Sequence, residues 1–425
     1  MTSRVALSPR TSRGHTLIEL MIAIVCGMIL VLAAFKVLAD FEGGKRTTTA
    51  MNDALQSGNI GLFEIDKLIR SAGTGMTQYA RVVGYGCSLN YTPTGGGLIT
   101  SGVINGQLPP PFTGVVGTSA APLRLAPAVI FGGAISAIGW SDAAAATPAT
   151  SDALLLMLGG AGFGEIPVAV SNAKSPPTLQ SIVGFGPNDW VIDAGASLGD
   201  CMISRVSATF AAGGPGKANW TSSLLQLPLA TGNTVGNKTL AVNDYILDLG
   251  NGTAANFLLF GVDSNSATLR SIDLLNSDPV NSTPLNVSDD IVFMKAVYQV
   301  DPDKTGTGGW VKPGGTFPAS SGTYNYSATS GANCLLCGTS SANLALQGIK
   351  AIRIALVVRA PLQENANQAQ NVSVNFNGQS YVLFSSLPSA MQFTWYAPLS
   401  PASQPQNYRY RVIETTVPIR NNGLL

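Results

Sequence analysis

An α+β chain, with one long N-terminal helix laid on an antiparallel sheet, is what the sequence predicts, from three observations. Residues 20 to 35 carry no charge and only one glycine, Gly27, and with Leu17 and Ile18 in front the run is long enough for a membrane-spanning helix. From Met51 the apolar positions Met51, Leu55, Leu62, Ile65 and Ile69, with Gly58 in the same seam, recur in steps of three and four, which gathers them on one helical face. Beyond Cys87, short apolar runs alternate with connectors rich in Gly, Pro, Ser and Thr, with no internal repeat and no second span.

The N-terminus sets orientation. Arg4, Arg10 and Arg13 precede the apolar run with no acid before Glu19, so the positive-inside rule keeps this end cytoplasmic and carries everything past Leu38 outside the inner membrane. No small-residue cleavage site of the A-x-A type follows, which disfavours an ordinary secretory signal peptide. Glu19 stands in the greasy segment, where a carboxylate costs roughly 2.5–3.5 kcal/mol on insertion scales and so needs a partner. Cutting after Gly14 would create a free amine at His15, one helical turn from Glu19. In a bundle of like helices, Glu19 of one subunit can then meet the new amine of its neighbour. The alternative is a plain signal-anchor with Glu19 at the headgroups.

The string Gly14-His15-Thr16-Leu17-Ile18-Glu19-Leu20-Met21 resembles the processing and methylation motif of type IV prepilins. The resemblance implies cleavage after Gly14 by a prepilin peptidase, N-methylation of His15, and Glu19 as the assembly carboxylate. The family usually has Phe where His15 stands. It also implies a type IV pilin-like α+β fold: a long helix packed on an antiparallel sheet, here with large loop and β insertions.

Gly43-Gly44 interrupts the helix between its two halves, each glycine weakening it by about 1 kcal/mol relative to Ala. The expectation is a two-part helix from Thr16 to Ile69 with a soft point near Gly43, stopped by Gly73 and Gly75 in positive φ. Four regions follow: a leader at 1–14, a transmembrane and assembly half-helix at 15–40, an amphipathic half at 41–72, and a periplasmic β-rich head at 73–425. Asn59, Phe63, Lys67-Leu68-Ile69-Arg70 and Ala72-Gly73, then Gly84-Tyr85-Gly86-Cys87, resemble the helix end of PilW-type minor pilins. So do Ser151-Asp152-Ala153-Leu154, Asp200-Cys201, the run 291–301, Ile349–Arg359, and Tyr408-Arg409-Tyr410-Arg411 through Asn421.

Strands are predicted at Ala153–Leu158, Cys201–Phe210, Leu224–Leu229, Asp244–Leu249, Phe257–Val262 and Thr268–Asp273. Further strands are predicted at Ile291–Val300, Ile349–Arg359, Val372–Phe376, Ser380–Phe384 and Tyr408–Val417. Residues 91–122 read as a long exposed insertion and 143–150 as a low-complexity linker.

Cys26 lies in the membrane run as a small apolar residue. In an oxidising periplasm Cys87, Cys201, Cys334 and Cys337 can pair in three ways. The PilW resemblance places a bridge between its Gly-Cys and Asp-Cys segments, Cys87 and Cys201. That leaves Cys334 and Cys337 as a local clip. A redox pair would need the first thiol at a helix N-terminus, whereas Gly331-Ala-Asn before and Gly338-Thr-Ser-Ser after read as loop.

Other chemistries find little support. A net charge of +1 with 11% charged residues offers no basic stripe for nucleic acid. The single histidine, His15, leaves no Ser/His/Asp or Cys/His set, and no H-E-x-x-H, Walker or dinucleotide motif occurs. Asp301-Pro-Asp303-Lys-Thr305-Gly306 starts like a calcium loop, but position 12 is Lys312 instead of the bidentate Glu, so a solvated turn is expected. No enzyme, metal or cofactor is predicted.

The resemblance implies a minor pilin anchored in the inner membrane and then incorporated at the tip of an extracellular pilus, where it primes assembly. Its implied partners are other minor pilins, the major pilin, a prepilin peptidase/methyltransferase, the inner membrane and a tip adhesin. Two other readings stand beside it: a minor pseudopilin of a type II secretion system, or a pilus-borne adhesin whose insertions bind through Trp140, Trp190, Trp220, Trp310 or Trp395.

Overall fold

A computed structural model describes residues 16–77, 85–142, 147–160, 166–194, 199–210, 227, 229–363, 376, 378–398 and 408–424. The chain divides into two compact units, Met1–Asn52 and Asp53–Leu425. One helix, α1 at Leu17–Ser71, supplies nearly all of the described part of the first and opens the second. The assignment stays helical through Gly43-Gly44; the hydroxyls of Thr47 and Thr48 donate to Gly44 O at 3.0 and 2.9 Å.

Within the second unit, α1 presents Ala54, Gly58, Gly61, Leu62, Ile65 and Ile69 as its buried face. Small residues set the closeness of that contact. A Cβ at Gly58 would lie 2.4 Å from Val358 Cγ1 and 2.8 Å from Ile413 Cδ1, and one at Gly61 would crowd Ser288, Ile291 and Leu269. Ala54 is fully buried where the sequence pattern had weighted Leu55, which is only half-buried. The helix ends where the apolar stripe ends. Gly73 and Gly75 both adopt positive φ, and Asn421 Nδ2 donates to Ala72 O at 2.9 Å, so the C-terminal segment caps orphan carbonyls of the first helix.

The sheet under this face has four antiparallel strands in the order Gly309–Val311, Ile291–Val300, Ile349–Gln363, Tyr408–Pro418. Its two middle strands are almost continuous apolar runs, as expected when both faces are covered. A seven-stranded antiparallel sheet runs Leu285–Asp289, Thr268–Asp273, Asn256–Asp263, Thr147–Leu158, Ala128–Asp142, Phe393–Tyr396, Ser380–Leu383. A six-stranded sheet is ordered Ser88–Asn90, Asp200–Arg205, Trp190–Ala194, Tyr245–Gly250, Val168–Asn172, Thr178–Leu179, its first pair parallel and the rest antiparallel. An eight-residue helix, α2 at Ser340–Gln347, is capped by Thr339, whose hydroxyl accepts from Ala342 N. The class is therefore α+β, one long helix with largely antiparallel sheets.

Several expectations need correction. Residues 91–122 are not an exposed insertion: Tyr91, Ile99, Leu108, Phe112 and Leu123 beside them are buried, and Tyr91 donates its hydroxyl to Leu274 O at 2.8 Å. The segment 147–150 is not linker but the start of a twelve-residue strand paired with Ala128–Asp142; 143–146 lie outside the described residues. The strand at Cys201 ends at Arg205 instead of Phe210. The strand expected at Val372–Phe376, and most of that at Leu224–Leu229, fall outside the described residues.

Candidate functional site

The helix start forms the first part of the site. Thr16 sits at the N-cap of α1 with Glu19 at the third helical position, and the two side chains close on each other. Glu19 N donates to Thr16 Oγ1 at 3.4 Å, while Glu19 Oε2 accepts from Thr16 N at 3.3 Å. This reciprocal pattern is a capping box, and it holds the carboxylate at the positive end of the helix dipole. The Thr-x-x-Glu spacing is visible in the sequence, where Thr16 marks the motif and the expected helix start; its capping role is what the structure adds. Gly14 and His15 lie outside the described residues.

Above that box the helix is apolar on every side. Leu17, Ile18, Leu20, Met21, Ile22, Ile24, and onward to Phe35, Val37, Leu38 and Phe41, all stand exposed. Exposed Cys26 shares this surface. Among the described residues, α1 alone is long and apolar enough to cross a membrane. A contiguous apolar surface of this size is not stable in water and calls for lipid or other apolar helices.

The second part is the frame of the head. Cys87 and Cys201 form a disulfide, Cα–Cα 5.6 Å, fastening the segment after α1 to the six-stranded sheet. At a sequence separation of 114, such a bridge restricts the unfolded chain strongly, typically by about 2–4 kcal/mol. Cys334 and Cys337 form a second, local disulfide, Cα–Cα 5.0 Å. It lies in a turn, but α2 begins three residues later, where the sequence reading had continued the loop.

Ser151 and Asp152 fasten the seven-stranded sheet to the four-stranded one. Ser151 Oγ donates to Met294 O at 3.1 Å, and Asp152 accepts from Lys295 Nζ at 2.6 Å, Ala296 N at 3.0 Å and Gly133 N at 2.8 Å. Asp152 is 1% exposed, so the pair is buried, and its lone pairs are largely filled by protein donors. Lys295 carried no sequence signal; only the fold brings it to Asp152.

Asp301 and Asp303 do not open toward a cation. Asp301 accepts from Thr305 N and Gly306 N at 3.1 and 3.0 Å, and Asp303 from Ser320 N and Ser320 Oγ at 2.5 and 2.6 Å. The hydroxyls of Ser320 and Ser321 hold the Asp303 carboxyl below its usual range. Among the described residues no three metal-ligating side chains converge. The described tryptophans form no exposed platform. Trp395 and Trp190 are buried, Trp140 and Trp310 half-buried, and Trp220 lies outside the described residues.

The six-stranded sheet contains acids that the sequence reading did not single out. Burial pushes the Asp193 carboxyl up to about 8, against the nearby Lys238, and that of Asp248 up to about 7.

Comparison with known proteins finds two family models along the chain. Residues 9–35 match the prokaryotic N-terminal methylation motif, and residues 263–421 match the type IV pilus-assembly protein W family. No curated protein matches. Among solved structures, a type IV-like pilin from Thermus thermophilus aligns over 40% of this chain and 70% of its own, at 12% identity and a TM-score of 0.18.

Proposed function

We propose that this chain, which matches the prokaryotic N-terminal methylation motif over residues 9–35 and the type IV pilus-assembly protein W family over residues 263–421, is a PilW-type minor pilin that primes pilus assembly as part of an initiating or tip complex. In this reading a prepilin peptidase removes residues 1–14, the new amine of His15 is methylated, and the protein waits in the inner membrane with its head, 73–425, in the periplasm. It then moves into the fibre beside other minor pilins and the major pilin, and helps carry a tip adhesin. Its work is structural: helices bundle through their apolar surface while the carboxylate of Glu19 pairs with the N-terminal amine of a neighbour.

The observation that carries this reading is the helix stem, uncharged from Leu20 to Phe35, with a carboxylate held in the first turn at Glu19. A charge so placed has little use in a simple anchor but can set axial register between like helices, because an ion pair in low dielectric is strong only at close approach.

A strain lacking the gene tests it, scored for surface pili and for type II secretion together. Loss of pili with secretion intact is expected. Intact pili with lost secretion would move the protein to the pseudopilins instead.

A further inference from the structure

Two buried lysine–aspartate pairs occupy the head, and they are built differently. Asp152 receives Lys295 and two backbone N–H groups, as an ionised carboxylate requires. Asp193, on the strand Trp190–Ala194, receives nothing comparable. It is 1% exposed, and neither carboxylate oxygen has a hydrogen-bond partner among the described residues. Lys238 reaches it from the small hairpin Thr234–Val235/Lys238–Thr239, its Nζ 3.6 Å from Asp193 Oδ2. The ammonium is held by a different acid: Nζ lies 2.6 Å from Asp244 Oδ2, which also accepts from Ala241 N at 2.8 Å.

An amine, a buried carboxyl and a second carboxylate thus converge beside Val191, Met202 and Ile246, core residues of this sheet. From this geometry we propose that Lys238 and Asp193 join in a self-formed isopeptide bond, with Asp244 as the base.

The chemistry balances without any outside reagent. Asp244 takes a proton from the Lys238 ammonium, giving a neutral amine. The amine lone pair attacks Cγ of the neutral Asp193 carboxyl, forming the C–N bond. Asp244 relays a proton from the nitrogen to the departing hydroxyl, the C–O bond breaks, and water leaves. An ammonium, a carboxylic acid and a carboxylate become an amide, a water and a protonated Asp244. Each group has the state its role requires: burial keeps the Asp193 carboxyl protonated near neutral pH, which makes it an electrophile, and a base within hydrogen-bond reach activates the lysine. Asp152 lacks these conditions. No second carboxylate holds Lys295 in the described residues, and both oxygens of Asp152 are already engaged by Lys295, Ala296 N and Gly133 N.

The product would staple the hairpin to the six-stranded sheet and remove a buried carboxyl that has no hydrogen-bond partner among the described residues. The test is the intact mass of the full, unprocessed chain, made in a host without a prepilin peptidase and purified in detergent, after reduction of its disulfides. One water less than the sequence mass is expected, and tryptic digestion should yield one branched species. Trypsin cannot cut at an acylated Lys238, so Ala218–Arg270 should be found linked to Ser175–Arg205. In Lys238→Met and Asp193→Ala the full sequence mass returns; in Asp244→Asn both partners remain but the link is lost or falls well below wild-type yield. A wild-type mass with no water missing, or a water loss mapped to any other pair, overturns the proposal, and full linkage in Asp244→Asn overturns the role of Asp244. The wild-type measurement decides even if a variant fails to fold.

Discussion

The two stretches of α1 meet their surroundings in opposite ways. From Leu20 to Phe35 the helix carries no charge, and its large side chains stand open. From Ala54 to Ile69 a narrow seam of small and branched residues is buried while Asn59, Phe63 and Lys67 face out. The second stretch is specified by its own chain: Gly58 and Gly61 admit Val358 and Ile291 so closely that no side chain fits between. Among the described residues the first stretch leaves its apolar side chains exposed, so its stability depends on lipid or on other helices. One continuous helix therefore contains a segment that completes the head and a segment that is incomplete until the protein is placed in a membrane or an assembly.

This contrast can be broken from either side. The largest effect should come from the head, where Lys295→Met leaves Asp152 as a buried charge without its cation. Breaking such a pair costs roughly 3–5 kcal/mol, so thermal unfolding of the full chain in detergent should show a clear drop in Tm. An unchanged Tm would mean that Gly133 and Ala296 alone satisfy Asp152. The next effect is in the stem. Leu32→Arg puts a charge mid-way along the apolar run, worth about 2.5–3.5 kcal/mol on insertion scales, and should shift protein into the alkali-extractable fraction while the Tm of the head is unchanged. Full membrane retention would mean that this stretch is not seated in hydrocarbon.

How far these features could be read from the sequence depends on whether they are local. Thr268–Asp273 and Ile291–Val300 form strands at their expected bounds because β-branched and aromatic runs end at polar turns. Ala128–Asp142 is not legible as a strand in the sequence, although it pairs with Thr147–Leu158 over most of its length. Its Gly132, Gly133 and Gly139 and its many alanines have poor strand preference, and its register shifts at several points. Helix α2 was hidden in a Ser/Thr/Gly stretch, where the cap Thr339 resembled one more loop residue. At the candidate site, Glu19 stood out as a lone charge in an apolar segment. Lys295 beside Asp152, Asn421 on the end of α1, and Lys238 beside Asp193 were not visible, since each pairing spans many residues and is created by sheet topology alone.

The account rests on the charge of Glu19, and Glu19→Gln isolates that charge. Glutamine can still close the capping box with Thr16, so the helix start is preserved while the carboxylate is lost. Measured as the amount of this protein in sheared pili relative to the inner-membrane pool, the variant should remain membrane-bound and be strongly depleted from fibres. Incorporation at the wild-type level would contradict the pairing of Glu19 with a neighbour's amine.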